Sequence, residues 1–119
     1  MLRYEVKTIL DLKTAAQEFC RHLEMQSVPQ EKVYDCRLVV NELVGNVLRH
    51  SGGVATFHGA VSGNCVEIFV HSTAGFIPPK QSECSPITAE GGRGLFLVDK
   101  VSVSRTVTPD GEIKVIIQY

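Results

Sequence analysis

The feature that most constrains the fold is a pair of short apolar stretches, residues 54–61 and 65–71, with three residues between them. Both stretches are rich in the β-branched and aromatic residues typical of strands. The gap, Ser62-Gly63-Asn64, contains the residue types of a tight turn. Strands joined by so short a connection must run antiparallel. The sequence therefore predicts a β-hairpin, and with it a sheet that is at least partly antiparallel.

Helical spacing dominates the chain before the hairpin. Apolar residues recur three and four positions apart from Leu12 to Leu23, and Asp11 is predicted as the N-cap of this first helix. Pro29 suits the first turn of a second helix that continues to about Arg49. The remaining predicted elements are a strand at 2–9, a short helix at 95–100 and two final strands joined by Pro109-Asp110-Gly111.

The order of these elements predicts the fold class. Strands that are adjacent in sequence favour antiparallel pairing, and helices set apart from them favour a second layer. We expect an α+β fold in two layers, with a mixed, mostly antiparallel sheet covered on one face by helices. The 119 residues suffice for one hydrophobic core, so residues 1–119 are predicted to form a single domain. Residues 72–92 are predicted to form a long loop of the kind that often serves as a lid.

Charge and composition exclude several classes of protein. Twelve basic and 13 acidic residues give a net charge of −1, without the basic cluster that nucleic acid binding requires. No apolar run approaches the roughly 20 residues needed to cross a bilayer, and the first ten residues do not resemble a signal peptide. A cytoplasmic location is expected. The cysteines lack zinc-ligand spacing, which favours free thiols; they are Cys20, Cys36, Cys65 and Cys84.

The second helix carries a polar stripe. Glu42, Asn46 and His50 are four residues apart, so their side chains project from one side of the helix. A carboxylate, an amide and an imidazole in a row suit a site that holds a metal-bound phosphate and a proton acceptor. The polar face of any amphipathic helix gives the same periodicity, and spacing alone favours that simpler alternative.

A glycine-rich segment, residues 90–95 with the sequence EGGRGL, joins the long loop to the third helix. Glycines at the start of a helix let backbone amides approach a phosphate, and the helix N-terminus attracts an anion. A tight loop without a ligand is the structural alternative. The segment is neither a Walker loop nor a dinucleotide fingerprint, because no Gly-Lys-Ser/Thr follows it and no βαβ unit surrounds it.

Together these segments resemble the gyrase, chaperone and histidine-kinase ATPase superfamily, which has the Bergerat fold. Residues 42–50, with Glu42, Asn46 and His50, look like its N box. Gly75-Phe76-Ile77-Pro78 looks like the end of its first glycine box, and residues 90–98 look like its second. The short segment between the two glycine boxes is most similar to the anti-sigma-factor serine kinases of bacteria.

The resemblance implies an activity and a set of site residues. Proteins of this family bind ATP and Mg²⁺, sequester a sigma factor and phosphorylate a serine of a small anti-sigma-factor antagonist; some form homodimers. By position, Asn46 would hold the magnesium ion, and Glu42 would be the catalytic base that orients or deprotonates the serine hydroxyl. His50 would only stabilise the helix end. The other positions implied to contact the nucleotide are His71, Gly75, Gly92, Arg93, Gly94 and Leu95.

The adenine side departs from the family pattern. His71 stands where the first glycine box has its adenine-binding Asp, and Thr73 replaces the first glycine. Glu112 follows Gly111, where the family often has Thr. An adenine amino group left without its acceptor costs about 1–3 kcal/mol, a loss of about ten- to a hundredfold in affinity. Three outcomes stay open: weak ATP binding, another nucleotide, or partner binding without nucleotide.

Several alternatives follow from these departures. His71 is equally consistent with a strand-end histidine that has no ligand role, and a metal site made by His58 and His71 is a weaker alternative. For the whole protein, a serine-protein kinase competes with a non-catalytic partner-switching module. A detached ATPase module of a sensor kinase is disfavoured, because the lid is short and the chain has no dimerisation helix with a phosphoacceptor histidine.

Overall fold

The computed structural model describes residues 3–50, 54–73 and 90–119, and for His50 and residues 90–93 it describes the backbone alone. The order of elements is the predicted one. The elements are β1 (Arg3–Val6), α1 (Ile9–Met25), α2 (Gln30–His50), β2 (Ala55–Ser62), β3 (Cys65–Ser72), α3 (Glu90–Val101), β4 (Ser104–Val107) and β5 (Ile113–Gln118). Most of the predicted long loop, including Gly75, lies outside the described residues.

The five strands form one sheet in the order β1-β2-β3-β5-β4. The predicted α+β class is confirmed, and so is the hairpin, whose turn is Gly63-Asn64 with Gly63 at a φ of 59°. In this sheet of the described residues, all four neighbouring pairs are antiparallel, so it is not the mixed sheet we expected. The reason is topological: β4 runs in the same direction as β3 but lies beyond β5, not beside β3.

The two faces of the sheet differ in character. On the inner face, alternate residues of neighbouring strands pair and are buried beneath the helices, as in Phe57 with Val70 and Ile68 with Val115. Helix α2 lies at the centre of the helical layer and packs against β2, β3, β5, α1 and α3. The outer face contains the alternate set of residues: Thr56, His58, Phe69, His71 and Lys114.

Helix α1 begins earlier than predicted because a different residue caps it. The N-cap is Thr8, not Asp11: the Asp11 amide donates a hydrogen bond to Thr8 Oγ1 at 3.1 Å. In return, the Asp11 carboxylate accepts a hydrogen bond from the Lys7 amide at 3.1 Å. The arrangement is similar to a capping box, except that the carboxylate at the third helical position binds the amide before the N-cap and not that of the N-cap itself. Asp11 therefore stabilises the first turn from inside the helix.

Helix α2 begins directly after Pro29, whose carbonyl oxygen accepts hydrogen bonds from the amides of Lys32 and Val33 at 2.8 and 2.9 Å.

Helix α3 differs more from the prediction, since it begins at Glu90 and not at Leu95. The glycine-rich segment thus forms the first turns of the helix and not the loop before it. Within the described ranges, no helix is both long and apolar enough to span a bilayer.

Candidate functional site

The contact between α2 and α3 brings together two of the predicted site residues, Glu42 and Gly94. A Cβ atom placed on Gly94 would lie 2.9 Å from Cδ of Glu42 and closer still to the carboxylate oxygen Oε2. Gly94 is buried and Glu42 is half-buried. The carboxylate thus occupies the space that any other residue at position 94 would fill, and it lies against the first turns of α3.

Asn46 lies one turn further along α2 and is only 2% exposed. Its side-chain oxygen, Oδ1, accepts a hydrogen bond from Nη2 of Arg49 at 2.5 Å. The guanidinium folds back over Gly45, where a Cβ atom would lie 3.2 Å from Nη1. Sequence reasoning missed Arg49, although its position three residues after Asn46 makes such a contact available on a helix.

The other predicted residues of α3 lie in its first turns. Gly92 and Arg93 belong to the opening of the helix, where the first four amide groups have no partner within the helix. Leu95 is 3% exposed and belongs to the hydrophobic core, so its side chain anchors this end of α3. His50 is the last residue of α2. Glu42 and Gly94 therefore meet where α2 contacts α3, and Asn46 lies one helical turn along α2 from that contact.

His71 is not part of that site. It pairs with Thr56 on the outer face of the sheet and lines an open pocket of about 200 Å³ with Arg3, Asp110 and Glu112. Its ring nitrogen Nδ1 is buried and has no hydrogen-bond partner among the described residues. The outer face is separated from Glu42 and Asn46 by the thickness of the sheet.

Ser72 is the residue at the end of β3 that faces the helices, and it is only 5% exposed. Alternation along β3 carries the signal that sequence reasoning missed: Val66, Ile68 and Val70 are buried, so position 72 continues the inner face and position 71 does not. Thr73 has a structural role next to it. Its Oγ1 accepts a hydrogen bond from the Val54 amide at 2.9 Å, which ties the start of β2 to the end of β3.

The outer-face histidines, which we considered as a metal site, lie on neighbouring strands, His58 on β2 and His71 on β3. His58 is 8% exposed and stacks on Phe69 with ring centroids 4.7 Å apart. Burial lowers the pKa of His58, with Glu112 opposing the shift and Arg3 adding to it. Within residues 3–50, 54–73 and 90–119, no group of three His, Cys, Asp or Glu side chains is arranged to hold a metal ion.

The site on α2 is of a different kind and fits magnesium. Mg²⁺ bound with a nucleotide needs only one or two protein oxygens, because water and phosphate oxygens complete its shell. The amide oxygen of Asn46 is a suitable ligand, and the Glu42 carboxylate lies one turn away on the same side of the helix. The guanidinium of Arg49 is the group that now binds that amide oxygen.

Comparison with known proteins adds no relative. No protein-family model matches the chain, and no curated protein gives a significant match. The functional assignment therefore depends on the side chains of α2 and the first turns of α3.

Proposed function

We propose that the chain is a Mg²⁺- and ATP-binding regulatory domain that transfers a phosphoryl group to a serine of a small partner protein. Its proposed class is that of the anti-sigma-factor serine kinases, which its motifs resemble. The observation that carries the proposal is the contact of Glu42 with Gly94. That contact joins the two segments on which the resemblance depends, although about fifty residues separate them in the sequence.

The start of α3 would receive the phosphates. Its free amide groups and the positive end of the helix dipole favour an anion, and the glycines from Gly91 to Gly94 allow close approach of the backbone. Bound magnesium would neutralise charge on the phosphates, and Asn46 is the residue that would hold it. Phosphoryl transfer depends mainly on such positioning and neutralisation, so few side chains are needed.

Glu42 is the proposed catalytic residue. Its carboxylate is an acceptor only, so it would bind the hydroxyl proton of the incoming serine, orient the oxygen and take the proton as the phosphoryl group is transferred. Contact with Gly94 restricts where the carboxylate can lie, which would fix the direction of attack. This role requires a protein substrate, and the substrate proposed is an anti-sigma-factor antagonist. The second partner proposed is a sigma factor, and the proposed location is the cytoplasm.

A non-catalytic binding module is the second candidate. The observation that favours it is the position of His71 on the outer face, away from Glu42 and Asn46. The residue aligned with the family's adenine acceptor would then not contact a base bound between the helices and the sheet. Such a domain would bind a sigma factor or an antagonist, singly or as a homodimer, without turnover.

Titration calorimetry with Mg²⁺ and ATP tests the two candidates. The kinase proposal predicts micromolar binding that Asn46→Ala weakens at least tenfold. His71→Asp should leave the affinity within about twofold, because its side chain lies on the other face. Glu42→Gln should bind nucleotide but fail to transfer phosphate to a serine of a purified antagonist domain. If the native protein binds no ATP and still binds such a domain, the module is correct and the kinase is not.

A further inference from the structure

The hydrogen bond between Arg49 and Asn46 has a consequence for metal binding, provided that the proposed function holds. Asn46 is almost fully buried, so its amide oxygen needs a partner, and in the structure that partner is a cation of the chain itself. A magnesium ion bound to the same oxygen, at about 2.1 Å, would lie about 4 Å from the guanidinium nitrogen. Two cations at that separation repel strongly in a partly buried site.

We propose that Arg49 is a built-in competitor for the metal position at Asn46. The guanidinium holds the amide oxygen until a nucleotide arrives, and the metal can bind there only after the guanidinium has moved. The phosphates of the nucleotide bring the negative charge that offsets the repulsion and offers the displaced guanidinium another partner. Metal and nucleotide therefore bind together, and the free metal ion is rejected.

Gly45 makes this arrangement sterically possible. The guanidinium of Arg49 lies over the surface of α2 where Gly45 has no side chain, and a Cβ atom there would lie 3.2 Å from Nη1. That separation is tight enough to push the guanidinium by a few tenths of an ångström. Gly45→Ala is therefore a variant that disturbs the contact while it keeps the charge of Arg49, and alanine is favoured over glycine inside a helix.

Mn²⁺ titration without nucleotide tests the proposal directly. The readout is paramagnetic broadening of the Asn46 side-chain amide in NMR spectra of the native protein, Arg49→Met, Gly45→Ala and Lys13→Met. Arg49→Met should reach half-maximal broadening at about a tenfold lower Mn²⁺ concentration, as expected when a charge-assisted hydrogen bond no longer has to be broken. Gly45→Ala should shift in the same direction by less.

Lys13→Met is the charge control, because Lys13 is an exposed residue of α1. It should leave the titration within about twofold of the native protein. Equal titrations for the native protein and Arg49→Met would overturn the proposal, provided that the amide spectra show both to be folded. A gain in Arg49→Met that Lys13→Met reproduces would also overturn it, because the effect would then be one of net charge.

A second measurement separates this proposal from the proposed function. The ratio of the ATP dissociation constant in EDTA to that in Mg²⁺ should be about tenfold larger for Arg49→Met than for the native protein. The ratio cancels any contact that Arg49 makes with the nucleotide in both conditions. If no variant binds ATP, the proposed function fails, while the Mn²⁺ titration still decides whether Arg49 competes for Asn46.

Discussion

At the scale of single residues, two glycines are required by a neighbouring side chain and not by backbone conformation. Gly94 of α3 leaves space for the Glu42 carboxylate, and Gly59 of β2 leaves space for the ring of Phe19. The neighbours differ in kind. Glu42 ends in a flexible, half-buried carboxylate, whereas Phe19 is a core ring that is 1% exposed. Substitution by alanine should therefore affect the site at position 94 and the stability of the fold at position 59.

Gly94→Ala should impair the site and spare the fold. The new methyl group displaces the Glu42 carboxylate, which can move away, and alanine gains up to about 1 kcal/mol in helix propensity. We expect the free energy of unfolding in urea to change by less than about 1 kcal/mol, while the proposed phosphoryl transfer to a partner falls at least tenfold. Retained activity would show that the position of the carboxylate against α3 is not what Glu42 contributes.

Gly59→Ala is the matched contrast. A Cβ atom there would lie 2.6 Å from Cζ of Phe19, and this ring is held by edge-to-face contact with Phe57 at 5.6 Å between centroids. Overpacking of this kind costs about 1–3 kcal/mol, which should appear as a lower urea midpoint with an unchanged slope. A midpoint equal to that of the native protein would mean that the α1–β2 contact is looser than described.

At the scale of elements, α3 is fixed to the sheet by an ion pair as well as by its core residues. Arg105 of β4 donates two hydrogen bonds to Asp99 of α3, from Nε to Oδ1 at 2.6 Å and from Nη2 to Oδ2 at 3.0 Å. The side chain of Arg105 is 8% exposed and that of Asp99 is 33% exposed. Removal of one partner from such a pair takes a two-point, charge-assisted contact away from a largely buried charge.

Asp99→Ala should therefore destabilise the domain by about 2–4 kcal/mol, measured by urea unfolding. Glu67→Ala is the control: Glu67 pairs with Lys114 at 3.1 Å on the outer face, where both side chains are about one third exposed. Loss of that pair should cost less than about 1 kcal/mol. Similar losses for the two variants would contradict the view that burial makes the α3–β4 pair the stronger one.

The elements also show which features the sequence could predict. The hairpin and the two long helices follow from periodicity and turn residues, which local sequence carries. That Glu42 and Gly94 would lie close together was implied only by the family resemblance. The predicted start of α3 was wrong. Glycine lowers helix propensity, so the sequence favoured a loop before Leu95, whereas contact with α2 stabilises the helix there. That His71 lies on the outer face could not be read from the motif, because a motif alignment fixes a position along a strand but not the face, which depends on the register of the whole strand.

At the scale of the whole molecule, the outer face of the sheet links folding to pH. Burial lowers the pKa of His58 below its ordinary value of 6.5. Between the pKa of His58 in the folded protein and about pH 6.5, the unfolded chain binds a proton at this residue and the folded protein does not. The contribution of His58 to stability is therefore fully present above about pH 6.5 and is lost as the pH falls below it. The stacking of His58 on Phe69 keeps the ring in place in its neutral form.

His58→Phe should reduce this acid sensitivity. Phenylalanine keeps the stack on Phe69 and removes the proton-binding group, so the free energy of unfolding should fall less between pH 7 and pH 5 than in the native protein. Urea titrations at several pH values measure the difference. If the free energy of unfolding changes with pH as much in His58→Phe as in the native protein, other groups cause the pH dependence.

The strand order has a further consequence, for the sequence of events in folding. β2 and β3 are joined by a two-residue turn and can pair early, whereas β1 reaches its place beside β2 only after both long helices have been enclosed between them. Closing so large a ring costs chain entropy, and the contacts that offset this cost, four pairs with β2 and the packing of Tyr4 and Val6, need the helices and the hairpin to be in place first. The sheet should assemble outward from the hairpin, with β1 the last strand to join and, in amide exchange, among the first to open.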